Sequence, residues 1–350
     1  MEIWIAGANV PGMARKLAER AEAAGFDGIS FGDTQCISGD AFVGLTAAAL
    51  VTTHLKLAVG VTNPVTRHPA ATACAIASVQ VESKGRAVLG IGRGDSAVSK
   101  LHLRAGTVAE LEQYVEQLQG YLSGGIVELG GRASSLEWLA AQGLPKVPVD
   151  VAATGPAVIG VGARHADRLT FNVGADRQRL ARNIEVARQA RADAGLPPDG
   201  LSFGAWLPVA PHMSLPAARE LVKGVTAVYA RFQAMRGAPQ NLIRPEDATS
   251  IRGVAENYDN SRHGRADADH VARLEADFID RFAVTGPPDE CVERLAGLVE
   301  LGIDRLLIVG PNPLGSPDDY AESHRLLTEV VMPDLRRRAG PSVLPSSGGR

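Results

Sequence analysis

The sequence predicts an α/β protein that folds as a (β/α)8 TIM barrel with a helical insertion after the seventh strand. Eight short apolar or β-branched runs recur along the 350 residues, and seven of them alternate closely with helical runs. Such alternation predicts parallel strands joined by helical crossovers, and eight units favour a closed barrel over an open sheet. A charged, mostly helical region interrupts the alternation before the eighth strand and forms the insertion.

The first four units have clear helix boundaries. Gly25 fits the position that ends the first helix, and Thr107 with Glu110 forms a capping box before the fourth. The predicted strands cover residues 3–6, 28–31, 56–59 and 86–91, and the predicted helices cover residues 13–24, 42–51, 70–83 and 108–122.

The second half of the chain repeats the pattern less regularly. Gly195 ends a long amphipathic helix after the sixth strand. The predicted strands cover residues 149–152, 168–172, 202–209 and 305–309, and the predicted helices cover residues 156–163, 176–194, 289–301 and 317–338. We therefore expect a single barrel domain over residues 1–338 and a disordered tail over residues 339–350, which are rich in proline, serine and glycine.

The insertion spans about residues 211–285, with helices predicted over residues 215–236 and 267–282. An insertion after a barrel strand lies on the catalytic face and commonly forms a lid, while a packing excursion or a dimer contact is the alternative. The polar stretch 255–269 is expected to be its most mobile part, because it has little apolar surface to bury.

Composition argues against several classes of partner. A net charge of −3 gives no general field for nucleic acid or an anionic membrane, and 5% aromatic residues disfavour base-stacking platforms. No signal-peptide pattern or membrane-spanning apolar run is present, and the eight histidines lack metal-binding pairs. Cys36, Cys74 and Cys291 show neither metal nor disulfide spacing. We therefore expect a cytoplasmic protein without a metal, nucleic acid or membrane partner.

In a barrel of this type the working residues follow the strands, and the second and third strands end in polar sequence. Asp33 follows the second strand, where its carboxylate can bind a cofactor hydroxyl, help a proton move or simply cap a turn. Residues 60–69 follow the third strand and form a polar loop stiffened by prolines, a kind of loop that positions ligands. His68 in this loop is interpreted as a hydrogen-bonding pocket residue, with catalytic use as the alternative.

The next three strands also end in patterns that suit a ligand. Residues 90–96 read GIGRGDS, and their glycines let the backbone approach a ligand, although the third glycine of a Rossmann fingerprint is missing. Residues 153–156 read ATGP and open directly into a helix, which suits either a phosphate site or an ordinary N-cap. Asn172 and Val173 follow the sixth strand.

At these residues the chain resembles the luciferase-like (bacterial luciferase) superfamily, and within it the deazaflavin-dependent branch that includes methylenetetrahydromethanopterin reductase. The matching segments are GVTNP and TRHP after strand three, and GR leading to GIGRGDS at strand four. ATGP after strand five and a late segment that begins GPP also match. The resemblance covers residues 1–209 and about 285–313, and it does not cover the insertion.

The resemblance implies that a deazaflavin (F420) or flavin ring lies across the mouth of the barrel, against a non-prolyl cis peptide between Gly60 and Val61. Asp33 would lie near the edge of the ring, and Asp33 or His68 is the candidate proton donor. The positions that the resemblance assigns to cofactor binding are Gly60, Val61, Thr62, Asn63, Gly92, Arg93, Gly94, Asp95, Ala153, Thr154, Gly155, Pro156, Asn172 and Val173.

The activity expected from the resemblance is hydride transfer between F420 and a small organic substrate. An FMN-dependent luciferase-like monooxygenase on the same fold is one alternative, and a non-catalytic barrel that binds flavin or phosphate is another. Because relatives often pair through their barrel helices, a homodimer is expected.

Overall fold

The computed structural model describes residues 1–234, 244–313 and 315–339, and within them eight parallel strands close into a barrel. The barrel order is β9-β11-β1-β2-β3-β4-β7-β8, and β8 pairs with β9 to close the ring. The predicted (β/α)8 fold is therefore confirmed. The strands are β1 (Glu2–Gly7), β2 (Gly28–Phe31), β3 (Lys56–Thr62), β4 (Ala87–Ile91), β5 (Val127–Leu129), β6 (Arg132–Ser134), β7 (Val149–Ala153), β8 (Arg168–Phe171), β9 (Ser202–Pro211), β10 (Val284–Gly286) and β11 (Ile303–Val309).

The three strands outside the ring have local roles. β5 and β6 pair as an antiparallel hairpin between the fourth and fifth barrel units, which the strand-helix alternation did not predict. β10 pairs with the last residues of β9, Val209 to Pro211, and so extends the sheet beyond the ring at one side.

Helices surround the barrel where alternation predicts them, and side chains cap several of their first turns. Asp40 accepts hydrogen bonds at the start of α2, and the predicted capping box of Thr107 and Glu110 is present at the start of α5. The helices are α1 (Ala14–Ala23), α2 (Ala41–Ala49), α3 (Pro69–Glu82), α4 (Ser96–Ser99), α5 (Val108–Leu122), α6 (Pro156–His165), α7 (Arg177–Asp193), α8 (Leu215–Gln233), α9 (Pro245–Glu256), α10 (Ala276–Phe282), α11 (Pro288–Val299), α12 (Pro317–Leu326) and α13 (Met332–Ala339).

The C-terminal helix differs from its prediction. The single helix expected over residues 317–338 is two helices, α12 and α13, joined by a π-helical turn at Leu327–Val331. Residues 340–350 of the predicted tail and residues 235–236 of the predicted insertion helix lie outside the described residues. No helix in the described part of the chain is long and apolar enough to cross a membrane.

Near the starts of the strands, the inside of the barrel is polar. Arg305 of β11 is 2% exposed, and its Nη2 donates to Asp150 Oδ2 and Thr170 Oγ1, at 3.0 Å each. Its Nη1 donates to Ser202 Oγ at 2.6 Å, and Thr170 Oγ1 also donates to Asp150. These four residues form what we call the polar floor of the barrel. Because a buried charge is stable only when it is paired and hydrogen-bonded, the polar floor depends on all its members.

The insertion lies between β9 and β10 and packs onto the end of the barrel where the strands finish, which we call the mouth. One hydrophobic cluster contains Trp4 and Trp206 from inside the barrel together with Tyr229 of α8 and Ile251 of α9. Residues 255–269 bury little, as expected, because Ala268, at 4% exposure, is the one buried residue of this stretch and Tyr258 packs only at the edge of the cluster.

Candidate functional site

The polar turns that follow β3, β4, β7 and β8 are neighbours at the mouth. The four strands are adjacent and parallel, so their C-terminal ends meet at one side of the ring. Backbone hydrogen bonds join the turns directly: Gly92 N–H donates to Thr62 O at 3.0 Å, and Asn172 N–H donates to Ala153 O at 2.9 Å. The structure therefore brings together all the strand-end segments that the sequence singled out on this side.

A bulge at the end of β3 shapes the centre of the site. The register between β3 and β4 shifts between Val59 and Thr62, and the Gly60–Val61 peptide is cis, as the resemblance implies. A Cβ on Gly60 would lie 1.9 Å from Ser30 Oγ, and a Cβ on Gly90 would lie 2.2 Å from the carbonyl oxygen of Val59. Glycine is therefore required on both sides of the bulge, which holds residues 60–62 at the mouth.

Asn63 presents an unpaired donor to the site. Its side chain is 1% exposed, and its Oδ1 accepts the N–H groups of Val65 and Thr66 at 3.0 Å each. Its Nδ2 has no hydrogen-bond partner among the described residues. Gly94, at φ +90°, packs against this side chain, because a Cβ there would lie 3.1 Å from Asn63 Cβ. A buried amide donor without a partner is costly, so Asn63 Nδ2 fits the acceptor atom of a ligand.

Asp33 is buried at the end of β2 and held from two sides. Thr62 Oγ1 donates to Asp33 Oδ2 at 2.7 Å, and Gln35 Nε2 donates to Oδ1 at 3.0 Å. Arg67 Nε lies 3.6 Å from Oδ2, and Arg67 also pairs with Asp40. Although burial opposes it, the contact with Asp40 and the charge of Asp33 raise the pKa of the Arg67 guanidinium. This network fixes the Asp33 carboxylate at the mouth as an acceptor.

His68 caps a helix, a role that the sequence analysis did not predict. It is the N-cap of α3, where its Nδ1 accepts the Ala70 N–H at 3.2 Å, and the residue is exposed. An exposed ring that already caps a helix is poorly placed to deliver a proton inside a water-excluding site. This geometry argues against a catalytic role for His68, which stays an untested prediction.

In the turn after β4, the two charged residues have protein partners. Arg93 Nε donates to the Gly106 carbonyl oxygen at 2.6 Å. Asp95 forms an ion pair with Arg231 of α8, with Oδ1 and Oδ2 each 2.9 Å from a guanidinium nitrogen. Burial raises the pKa of Asp95, and the nearby Arg231 opposes this shift.

The turn after β7 offers backbone amides that can bind an anion, and the turn after β8 offers a side-chain oxygen that can accept a hydrogen bond. Gly155 is the N-cap of α6, Pro156 is in its first turn, and the N-cap residue makes no side-chain capping bond. The first amides of α6 are therefore available to a ligand. Val173 is fully buried, and Asn172 Oδ1 has no partner among the described residues.

Two residues of the insertion reach this site, and the sequence did not predict them. Arg231 contacts Asp95, as described, and Gln233 Nε2 donates to the Asn172 carbonyl oxygen at 2.7 Å. Both follow from the way α8 lies across the mouth. Charged and amide residues near the end of the predicted insertion helix were the available signal, but nothing in the sequence shows which strand end they face.

A further group of insertion residues surrounds Arg231. Its guanidinium lies 4.4 Å from the centre of the Tyr258 ring, and Tyr258 Oη lies 2.8 Å from His263 Nδ1. Burial lowers the pKa of His263 to about 4, and the charge of Arg231 contributes to the shift. His263 is therefore neutral at pH 7.

The groups without protein partners at the mouth fit a ligand that carries hydrogen-bonding atoms and an anionic group. The unpaired Asn63 donor, the unpaired Asn172 acceptor and the open N-terminus of α6 can contact such a ligand, and they are not a clustered set of metal ligands. Among the described residues, no group of three or more histidine, cysteine, aspartate or glutamate side chains could hold a metal ion.

Comparisons with known proteins identify relatives of this chain. The family described as luciferase-like monooxygenase matches residues 4–305. The 5,10-methylenetetrahydromethanopterin reductase of Archaeoglobus fulgidus is 30% identical over 303 residues, which cover 83% of this chain and 86% of that protein. The F420-dependent glucose-6-phosphate dehydrogenase of Beutenbergia cavernae is 26% identical over 336 residues, covering 91% of each.

Solved structures share the fold at lower identity. The coenzyme F420-dependent tetrahydromethanopterin reductase of Methanopyrus kandleri superposes with a TM-score of 0.75 at 22% identity, covering 96% of this chain and 99% of that one. An F420-dependent secondary alcohol dehydrogenase in complex with an F420-acetone adduct has a TM-score of 0.74 at 17% identity, with the same coverage.

Proposed function

The chain belongs to the luciferase-like monooxygenase family, and we propose that it is an F420-dependent oxidoreductase that transfers a hydride between the deazaflavin and a small organic substrate. The observation that carries the proposal is the convergence of the turns after β3, β4, β7 and β8 on one mouth, with an unpaired buried donor on Asn63. The names of the relatives, which include F420-dependent enzymes, favour F420 over FMN.

When bound, F420 supplies the hydride-carrying carbon of its deazaflavin ring. The chain's own residues bind and orient that ring. Residues 60–62 would lie behind the ring, Asn63 Nδ2 would donate a hydrogen bond to it, and Val173 would complete the wall beside it. Thr154, Gly155 and the first amides of α6 would hold the phosphate, because a helix N-terminus carries positive potential.

Asp33 is proposed to act at the edge of the ring. Thr62 and Gln35 donate hydrogen bonds to its two oxygens, which fixes the orientation of the carboxylate. We assign to Asp33 the positioning of the ring edge and of the proton that accompanies hydride transfer. His68 is not included, since it caps α3.

The experiment is an anaerobic titration of the purified protein with F420, and separately with FMN, followed by fluorescence. The proposal expects saturable F420 binding that Asn63→Asp weakens, because aspartate keeps the acceptor for the Val65 and Thr66 amides and lacks the Nδ2 donor. Asn257→Asp is the matched control, since Asn257 is exposed and bonds only to Gly253 of α9. Tight FMN binding without F420 binding would favour the monooxygenase alternative instead.

We further propose a homodimer formed through α2 and α3. Val43 of α2 and Leu50, the C-cap of this helix, lie seven residues apart on the same side and are 69% and 61% exposed. Residues 41–53 and 69–81 contain no charged side chain, which is unusual for surface helices. An uncharged apolar face suits a two-fold partner with the same face. Light scattering should give twice the chain mass for the wild type and the single mass for Val43→Glu/Leu50→Glu.

A cytoplasmic location is proposed as well. Cys36, Cys74 and Cys291 are all free thiols, and Cys36 is exposed, which suits a reducing compartment. Fractionation of the source cells with a soluble reductase as marker tests this.

A further inference from the structure

The ion pair between Asp95 and Arg231 joins the insertion to the cofactor side of the mouth. Asp95 belongs to the turn after β4, whereas Arg231 comes from α8, 136 residues later. The two side chains are 13% and 18% exposed, and both carboxylate oxygens are 2.9 Å from guanidinium nitrogens. Two parallel charge-assisted bonds of this length are among the strongest polar contacts in proteins.

Arg231 is itself held from the other side. Its Nη1 also donates to Asn260 Oδ1 at 3.1 Å, and its guanidinium stacks over the Tyr258 ring. The guanidinium is therefore fixed before any ligand binds, so little side-chain freedom is lost in keeping Asp95 in place.

Asp95 alone would oppose the ligand that the site is proposed to bind. F420 and FMN both carry a phosphate, and a partly buried carboxylate beside the binding turn repels an anion more strongly than an exposed one. Gly94, the neighbour of Asp95, packs on Asn63, so the carboxylate belongs to the same turn that touches the ring-binding amide. Arg231 removes this repulsion by pairing with Asp95.

We propose that Arg231 is a positioning residue of the cofactor site, which neutralises Asp95 and holds the turn after β4 in its binding conformation. This rests on the proposed function and goes beyond it, because it assigns part of the cofactor affinity to the insertion. Docking of the insertion and binding of a phosphate-bearing cofactor are then coupled, and each strengthens the other.

A double-mutant cycle tests the coupling. The dissociation constant for F420 is measured by fluorescence for the wild type, Arg231→Met, Asp95→Asn and the double variant, with an unfolding curve of each cofactor-free protein. The matched control is Arg219→Met, on the same helix, whose guanidinium pairs with Asp280 of α10 and does not reach the mouth.

We expect Arg231→Met to weaken F420 binding about tenfold or more when Asp95 is present. In the Asp95→Asn background the same change should alter binding by less than about threefold, because no charge remains to be neutralised. Arg231→Lys should fall between Arg231→Met and the wild type, since it keeps the charge and loses the two parallel bonds. Arg219→Met should leave the dissociation constant unchanged.

Two results would overturn the coupling. One is an Arg231→Met variant that binds as tightly as the wild type, and the other is an equal loss in both backgrounds, which would mean that Arg231 only supports the insertion. If the wild type binds FMN and not F420, the proposed cofactor is wrong, and the same cycle run with FMN judges the coupling. If it binds neither, both proposals fail.

Discussion

Replacing Arg305 by methionine tests how much the polar floor contributes to the stability of the barrel. The substitution removes a guanidinium that is 2% exposed and leaves the Asp150 carboxylate, whose side chain is 10% exposed, without its ionic partner. Breaking a buried ion pair by removing one member costs roughly 3–5 kcal/mol. Asp150 keeps its hydrogen bond from Thr170 at 2.7 Å, so we expect a loss near the lower limit, about 3 kcal/mol.

The assay is equilibrium unfolding in urea at pH 7, followed by tryptophan fluorescence. Trp4 and Trp206, 1% and 7% exposed, lie inside the barrel and report directly on its opening. The double variant Arg305→Met/Asp150→Asn should recover at least half of the loss, because the unpaired charge is gone. Arg104→Met is the control, since Arg104 pairs with Glu110 at the surface, and no measurable change is expected.

The reasoning is refuted if Arg305→Met unfolds within about 1 kcal/mol of the wild type, since a buried unpaired carboxylate cannot be that cheap. It is also refuted if the double variant is no more stable than the single one. In that case the loss would come from packing around the methionine and not from charge.

Three further substitutions test the site. Thr62→Val removes the hydroxyl that donates to Asp33, so it should lower the free energy of unfolding by about 2 kcal/mol and weaken F420 binding. Thr62→Ser keeps the hydroxyl and should do neither. Equal effects of the two substitutions would contradict a contribution from this hydrogen bond. His68→Ala should lower stability by about 1 kcal/mol through loss of the α3 cap and leave the rate of F420 oxidation nearly unchanged, whereas a 100-fold slower rate would restore His68 as a catalyst. The pKa of His263 is lowered from its usual value near 6.5 to about 4, so the stability that the neutral ring contributes is present above pH 6.5 and is lost as the pH falls towards 4. His263→Gln should therefore reduce the drop in melting temperature between pH 7 and pH 5. An unchanged drop would count against the shift.

The fold was predictable because the periodic spacing of apolar residues along the sequence indicates where strands and helices alternate. Strand ends followed directly from it, so the candidates after β3, β4, β7 and β8 could be named before their geometry was known. Arg231 and Gln233 could not, because their contacts with Asp95 and Asn172 are made between segments far apart in the chain. The role of His68 could not be predicted either, because a histidine that caps a helix and a histidine that acts in catalysis can occupy the same kind of polar loop.

Segment 255–269 shows that a strongly polar composition does predict low burial. Ala268 is the one buried residue in it, and Tyr258 packs at the edge of the apolar cluster that the barrel and the insertion share. The C-terminal helix could not be predicted in the same detail, because its sequence is helical throughout and the π-helical turn at Leu327–Val331 is visible only in the structure.

The shared apolar cluster of barrel and insertion has a consequence for how such proteins can diversify or be engineered. Trp4 and Trp206 inside the barrel belong to the same hydrophobic cluster as Tyr229 and Ile251 of the insertion, so the barrel and the insertion share one continuous core here. Replacing the insertion by that of a relative would therefore create cavities or steric clashes against the barrel, unless the facing barrel residues were changed as well. New substrate preferences on this framework should therefore arise by gradual co-adaptation across that boundary, and wholesale exchange of segments should yield poorly folded chimeras.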